Sequence, residues 1–210
     1  MSGLFITFEG IEGCGKSTQT KLLAEYFRKN GEDVFLSREP GGPNISEKIR
    51  EILLANENSE MLSNTEVLLY AASRSQHTGE WILPELKAGK IVICDRYFDS
   101  TTAYQGAARK IDRKMIDTIT SFATFGLKPD ITVLIDLAVS VGLARISPKD
   151  ADRLESESLD FHKKVREGFL QIAKTEKRFI VVDGSKSIAE ISNEIINKIE
   201  KRLKNAKSKK

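Results

Sequence analysis

The chain has 210 residues, 40% apolar and 30% charged, which suits one well-buried globular domain. No apolar run approaches a bilayer span, so a membrane partner is not expected. The net charge of +3 resides in the basic tail, residues 204–210, which has four lysines and no acid in its sequence, leaving −1 for the rest; such a tail is expected to be solvated and disordered, with no nucleic acid as a main partner.

Residues 4–8 (Leu4-Phe5-Ile6-Thr7-Phe8) are short, apolar and rich in strand formers, the pattern of a buried parallel strand. No basic segment precedes them, so no signal peptide is expected. Next comes Gly10-Ile11-Glu12-Gly13-Cys14-Gly15-Lys16-Ser17-Thr18, which fits G-x-x-x-x-G-K-[ST]. Residues 18–30 then read as a helix with Leu22, Leu23, Tyr26 and Phe27 on one face. Strand, glycine-rich turn and helix together form a phosphate cradle of backbone N–H groups and a helix N-terminus. Lys16 is expected at the β- and γ-phosphates, with the Ser17 hydroxyl on Mg²⁺. This is a nucleotide site.

Residues 33–37 form a second strand, followed by the loop Arg38-Glu39-Pro40-Gly41-Gly42-Pro43. Ile45, Ile49, Ile52 and Leu53 mark a helix over 45–54. Ser63-Asn64-Thr65-Glu66 has the form of a capping box opening a helix toward Gln76, with Gly79 and Pro84 expected to break or kink the chain before Gly89. Residues 91–95 are a third strand, ending in Asp95; such an acid beside a phosphate loop holds Mg²⁺. Residues 96–109 read as loop and helix, 111–122 as an amphipathic helix stopped near Gly126, and 131–136 as a fourth strand. A short helix (140–145), a polar segment (146–154), a helix (156–174) and a fifth strand (179–183) come next. Ser187-Ile188-Ala189-Glu190 caps a last helix carrying Ile188, Ile191, Ile195, Ile199 and Leu203.

Five alternations of strand and helix predict an α/β fold, a five-stranded parallel sheet with helices on both faces, in one domain over 1–203. Its polar loops gather at the carboxyl ends of the strands, where such sheets bind ligands. Cys14 and Cys94 do not make a disulfide framework and are expected as reduced thiols in a cytoplasmic protein. His77 and His162 read as packed helix residues, His162 being in phase with Leu159 and Val165.

No guanine-reading Asn-Lys-x-Asp strand end is present, which argues against a GTPase. Arg38, Arg74, Arg96, Arg145 and Arg153 recur at strand ends and on helices, and arginines converging on one rim suit two highly charged ligands. A phosphorylated acceptor is the preferred reading.

Four blocks in order, residues 8–19, Arg38-Glu39-Pro40-Gly41-Gly42, Asp95-Arg96-Tyr97 and Ala103-Tyr104-Gln105-Gly106, resemble the thymidylate kinase family of the bacterial kind, over residues 3–203. The resemblance implies a P-loop nucleoside monophosphate kinase fold with a short lid over 146–154. It implies transfer of the ATP γ-phosphoryl to dTMP with Mg²⁺, within a homodimer. It also implies that Gly10, Ile11, Glu12, Gly13, Cys14, Gly15, Lys16, Ser17, Thr18 and Arg145 bind ATP, beside the loop 183–187. Glu12, Arg38, Tyr70, Arg74, Arg96, Ser100, Thr101, Tyr104 and Gln105 correspond to the dTMP site. There Tyr70 stacks on the thymine and Arg74 hydrogen-bonds it, while Arg38 and Arg96 hold the acceptor phosphate. Tyr104 crowds a ribose 2′-OH. Ser17 and Asp95 hold the metal, and Lys16, Glu12, Arg96 and Arg153 carry the chemistry. The family's lid supplies cations to the transferring phosphoryl; this lid holds only Lys149 and Arg153, with Arg153 preferred. A kinase of another pyrimidine nucleotide or nucleoside, or a regulatory nucleotide-binding module, are the alternatives.

Overall fold

The computed structural model describes residues 3–147 and 151–207. Five parallel strands, β1 (Leu4–Glu9), β2 (Val34–Arg38), β3 (Ile91–Asp95), β4 (Ile131–Asp136) and β5 (Phe179–Asp183), form one sheet in the order β2-β3-β1-β4-β5. The strand feeding the phosphate loop is central, paired with β3 from Leu4↔Ile91 to Phe8↔Asp95 and with β4 from Ile6↔Ile131 to Glu9↔Leu134. Alternate residues of β1 serve different faces: Ile6 and Phe8 join the larger core, Phe5 a smaller one with Ile82, Leu86 and Tyr97.

The helices are α1 (Lys16–Lys29), α2 (Asn44–Leu54), α3 (Ser63–His77), α4 (Leu83–Lys87), α5 (Phe98–Thr101), α6 (Arg113–Ala123), α7 (Val139–Leu143), α8 (Leu159–Thr175) and α9 (Ile188–Lys207). Leu23, Ala24 and Phe27 of α1, Val165, Phe169 and Ile172 of α8, and Ile191, Ile195 and Ile199 of α9 fill the larger core.

Three local expectations change. Gly79 and Pro84 do not break the chain: a π-helical turn over Thr78–Ile82 carries α3 into α4 and absorbs the proline at the first turn of α4. A second π-helical turn, Thr102–Ala108, extends α5. The Ser63 capping box does not form, because α3 begins at Ser63 with Leu62 before it and no side-chain cap. Glu66 instead turns inward to buried partners. The second box does form, with Ser187 N–H donating to Glu190 Oε2 at 3.0 Å and Glu190 N–H to Ser187 Oγ at 3.3 Å. The basic tail expected to be disordered is helical through Lys207; residues 208–210 lie outside the described residues.

Candidate active site

At the carboxyl end of β1 the chain turns through the glycine-rich loop into α1. Gly13 has φ +66, and a Cβ there would stand 2.1 Å from the Gly142 carbonyl oxygen, so only glycine lets α7 approach the loop. No side chain caps the start of α1 and its first turn holds no acid, so its N–H groups and dipole remain directed at the cleft. Lys16 is buried; its Nζ donates to the Gly10 and Ile11 carbonyls at 3.1 and 2.8 Å. Cys14 packs under the loop, and both cysteines are free and buried. Arg145, exposed, donates to the Gly13 carbonyl at 2.9 Å and so borders the loop rather than the cleft.

Ser17 Oγ donates to Asp95 Oδ2 at 2.5 Å, so residues 78 apart in sequence meet beside Lys16. Two hard oxygen donors against a phosphate loop fit Mg²⁺, which takes one or two protein ligands and completes its octahedron with water and phosphate oxygens. Among the described residues no group of three or more His, Cys, Asp or Glu could hold a metal, so a dedicated all-protein cage does not compete with that fit.

Glu12 projects from the loop into a ring of donors. Its Oε1 accepts the Tyr104 hydroxyl and Arg96 Nη2, the latter at 3.1 Å, while His162 Nδ1 stands 3.3 Å from Oε2. Burial opposes the charge, but His162, Arg96, Lys16 and Tyr104 outweigh it and hold Glu12 down to about 2. Arg96 adopts φ +70, an uncommon region for a residue with a side chain, its N–H donating to the Phe8 carbonyl at 2.9 Å. That geometry carries its guanidinium over the Tyr104 ring, 5.2 Å from the centroid, with Nη1 donating to the Gly10 carbonyl at 3.0 Å. Burial opposes its charge, but Tyr104, then Glu12, Glu9 and Asp95, outweigh it and raise its proton affinity well above the ordinary value.

The same cleft continues past Tyr70, Arg74, Ser100, Thr101, Tyr104 and Gln105 to Arg38 and Arg50. Arg74 is buried and anchored, with Nε to Glu39 Oε2 at 2.8 Å, Nη1 to Thr101 Oγ1 at 2.9 Å and Nη2 to the Tyr97 carbonyl at 3.3 Å. Two of its five N–H groups remain. Ser100 donates to Glu9 Oε2 at 2.6 Å, and Gln105 donates to Glu66 Oε1 at 2.8 Å. Arg38 is held by Glu47 at 2.9 and 3.0 Å and by the Pro40 carbonyl at 2.8 Å.

Arg153 departs from the expectation. It is buried away from the cleft, its Nη1 paired with Glu66 Oε2 at 2.7 Å and its Nε donating to the Leu53 carbonyl at 2.9 Å. Glu66, which failed to cap α3, is the reason: 1% exposed and also bonded by Gln105 and Arg109, it draws Arg153 inward. Lys149 lies outside the described residues. His77 is a core residue, between Ser37 Oγ at 2.7 Å and Glu39 Oε1 at 3.0 Å.

Several lining groups carried no signal in the sequence. Arg50 lies off the apolar stripe of α2, yet it faces the cleft with Nη1 on the Pro40 carbonyl at 2.8 Å. Burial, then the charge of Arg38, lowers its proton affinity, although Glu47 stands between the two arginines as a partner of Arg38. Asp152, within the expected lid segment, and Glu155, just after it, also line the cleft. Beneath Ser100, Glu9 is wholly buried and pushed up to about 8, by burial first and the Asp99 charge second. Asp99, whose proton affinity burial also raises, is paired with Arg178 at 2.6 and 2.7 Å.

The family model described as Thymidylate kinase matches residues 8–195. A thymidylate kinase of Pelobacter propionicus is 51% identical over 213 aligned residues, 97% of either chain. Those of Caldanaerobacter subterraneus subsp. tengcongensis and Sulfurihydrogenibium sp. are 48% and 49% identical, covering 99% and 95% of this chain and 100% and 98% of their own. A phosphate loop, the Ser17–Asp95 pair and an arginine-lined second half share one cleft, and the chain is matched nearly end to end by thymidylate kinases; it belongs to the thymidylate kinase family.

Proposed function

We propose that this chain transfers the γ-phosphoryl group of ATP to the phosphate of dTMP, forming dTDP and ADP. One observation carries the reading: Lys16, Ser17 and Asp95 share a cleft with a second half lined by Arg38, Arg50 and Arg96. Two polyanions suit such a cleft, because its two halves each present cationic side chains.

The loop from Gly10 to Thr18 and the N-terminus of α1 hold the ATP phosphates, with Lys16 exchanging its loop carbonyls for phosphate oxygens. Arg145 borders the adenine side. Ser17 and Asp95 would hold Mg²⁺, which when bound neutralises charge on the β- and γ-phosphates. Tyr70 gives a face for the thymine, the remaining Arg74 N–H groups reach its edge, and Ser100, Thr101 and Gln105 fix the wall around base and sugar. Tyr104, tied to Glu12, leaves no room for a 2′-hydroxyl. Arg38, Arg50 and Arg96 orient the acceptor phosphate, and Glu12 sets the position of Arg96. An acceptor phosphate oxygen attacks the γ-phosphorus in line, the bond to the ATP β,γ-bridging oxygen breaks, and ADP leaves with that electron pair. The protein supplies alignment and charge rather than a covalent intermediate. The lid, 146–154, excludes water from the transfer; with Arg153 engaged elsewhere, Lys149 is the lid cation we assign to the transferring group.

A homodimer is the assembly we assign. Leu68 of α3, Met115 and Phe122 of α6, and Phe125 beyond it are exposed, Phe122 to 84%, on neighbouring elements. Among the described residues no helix is long and apolar enough to cross a membrane. With two free thiols, we assign the protein to the cytoplasm.

The test is ADP release from ATP·Mg²⁺ with dTMP, dUMP, UMP, CMP and thymidine in turn. The reading expects dTMP to be the best acceptor by at least about tenfold, the discrimination a single methyl contact supports. Phosphorylation of thymidine without dTMP, or acceptor-independent hydrolysis, would overturn it.

A further inference from the structure

His162 is one of two histidines in the chain and is wholly buried on α8, yet neither ring nitrogen has a hydrogen-bond partner. A buried imidazole left so carries a desolvation cost that leucine or phenylalanine would avoid. Its surroundings give a reason to retain it. Nδ1 stands 3.3 Å from Glu12 Oε2, an oxygen that is itself buried and without a hydrogen-bond partner. The other oxygen, Oε1, already takes Tyr104 and Arg96.

The approach is built into the packing of α8. A Cβ on Gly168 would stand 2.8 Å from Ala107 Cβ, so the helix lies tight against the turn that carries Tyr104. Phe161 and Phe169 each meet the Tyr104 ring edge-on at 6.1 Å. The same helix thus fixes the tyrosine that holds one carboxylate oxygen and brings an imidazole nitrogen within 3.3 Å of the other.

We propose that His162 is a positioning residue: its Nδ1–H holds Oε2 of Glu12, fixing the carboxylate plane so that Oε1 engages Arg96 and Tyr104 at the acceptor half of the cleft. Without it, Glu12 rotates about its terminal torsion, which is broad and roughly two-fold, and Arg96 loses its fixed partner. This inference rests on the role given above to Glu12, and a double-mutant cycle separates the two.

Steady-state kinetics are measured for wild type, His162→Leu, Glu12→Gln and the double variant. Expected for His162→Leu is a fall in kcat on the order of tenfold, as when the outer partner of a site ligand is removed. KM for ATP stays within about twofold, because the phosphate loop carbonyls and Lys16 are untouched. In the Glu12→Gln background the same replacement costs less than about twofold, since its effect runs through the lost carboxylate. His162→Asn, whose amide N–H can stand in for Nδ1–H, restores most of kcat. An equal cost in both backgrounds would mark packing alone and overturn the inference. Wild-type kcat in Glu12→Gln would instead overturn the role of Glu12 itself. A second measurement does not depend on any variant's activity. With ¹⁵N-histidine labelling, and His77→Gln for assignment, His162 shows a protonated Nδ1; an unprotonated Nδ1 cannot donate to Glu12 and overturns the inference.

Discussion

Replacing Arg153 by leucine separates two jobs that the sequence could not distinguish, transition-state cation and buried anchor. Arg153 gives Nη1 to Glu66 at 2.7 Å and Nε to the Leu53 carbonyl at 2.9 Å, with 7% of its side chain and 1% of that of Glu66 exposed. Leucine removes both bonds, but Glu66 keeps Gln105 and Arg109, so it is not orphaned. The loss is one charge-assisted bond and one to a carbonyl, about 3 kcal/mol net. This is at the lower edge of what breaking a fully isolated buried pair costs, about 3–5 kcal/mol. At about 2–4 °C per kcal/mol for a chain of this size, Tm falls by about 6–12 °C. Catalysis at 25 °C with saturating dTMP and ATP stays within about threefold, because nothing facing the cleft is removed, whereas loss of a cation on the transferring phosphoryl costs about 10³. Thermal melting and kcat are read on the same preparation. A thousandfold loss of kcat with unchanged Tm would refute the anchor assignment.

Lys16→Ala is expected to lower kcat at least about 100-fold while leaving the melting temperature near that of wild type, and near wild-type turnover would sink the phosphate-loop assignment. Burial, then the charge of Asp99, pushes the Glu9 carboxyl up to about 8 from an ordinary 4.5, so its contribution to stability is complete below pH 4.5 and is lost as pH rises toward 8. Melting from pH 4.5 to 8.5 should therefore show a decline that Glu9→Gln flattens; parallel curves for the two proteins would disprove the raised proton affinity of Glu9. Glu12 has the opposite sign: held at about 2, it contributes above pH 4.5 and the contribution is lost as pH falls toward 2, a slope that Glu12→Gln should remove. Phe122→Asp places a charge on the exposed α6 face and should convert dimer to monomer in sedimentation; an unchanged sedimentation coefficient would move the interface elsewhere.

The strands were readable because buried parallel strands are uninterrupted apolar runs, and each of the five is bounded within a residue or two of its pattern. The phosphate loop was readable because its pattern is local: nine consecutive residues carry the glycines, Lys16 and Ser17. Legibility ended where a role depends on a distant partner. Ser63 to Glu66 matched a capping pattern, but the Glu66 carboxylate gains more from Gln105, Arg109 and Arg153 than from one backbone N–H. No local rule could have weighed that competition. Arg50 and His162 were hidden for the same reason. Each sits within a helical pattern that explains its neighbours, and its partner comes from another element.

The meeting of Gly13 and Gly142 has a consequence for inheritance. A Cβ on Gly13 would stand 2.1 Å from the Gly142 oxygen, and one on Gly142 would stand 2.5 Å from the Glu12 oxygen. Neither position can accept a side chain while the other backbone stays where it is. The two therefore behave as one character with two addresses, on separate segments of the chain. A lineage that exchanges the α7 region with that of a distant relative must bring a compatible phosphate loop with it. Graftable units in this molecule are thus larger than its secondary-structure elements, and their borders run through space rather than along the sequence.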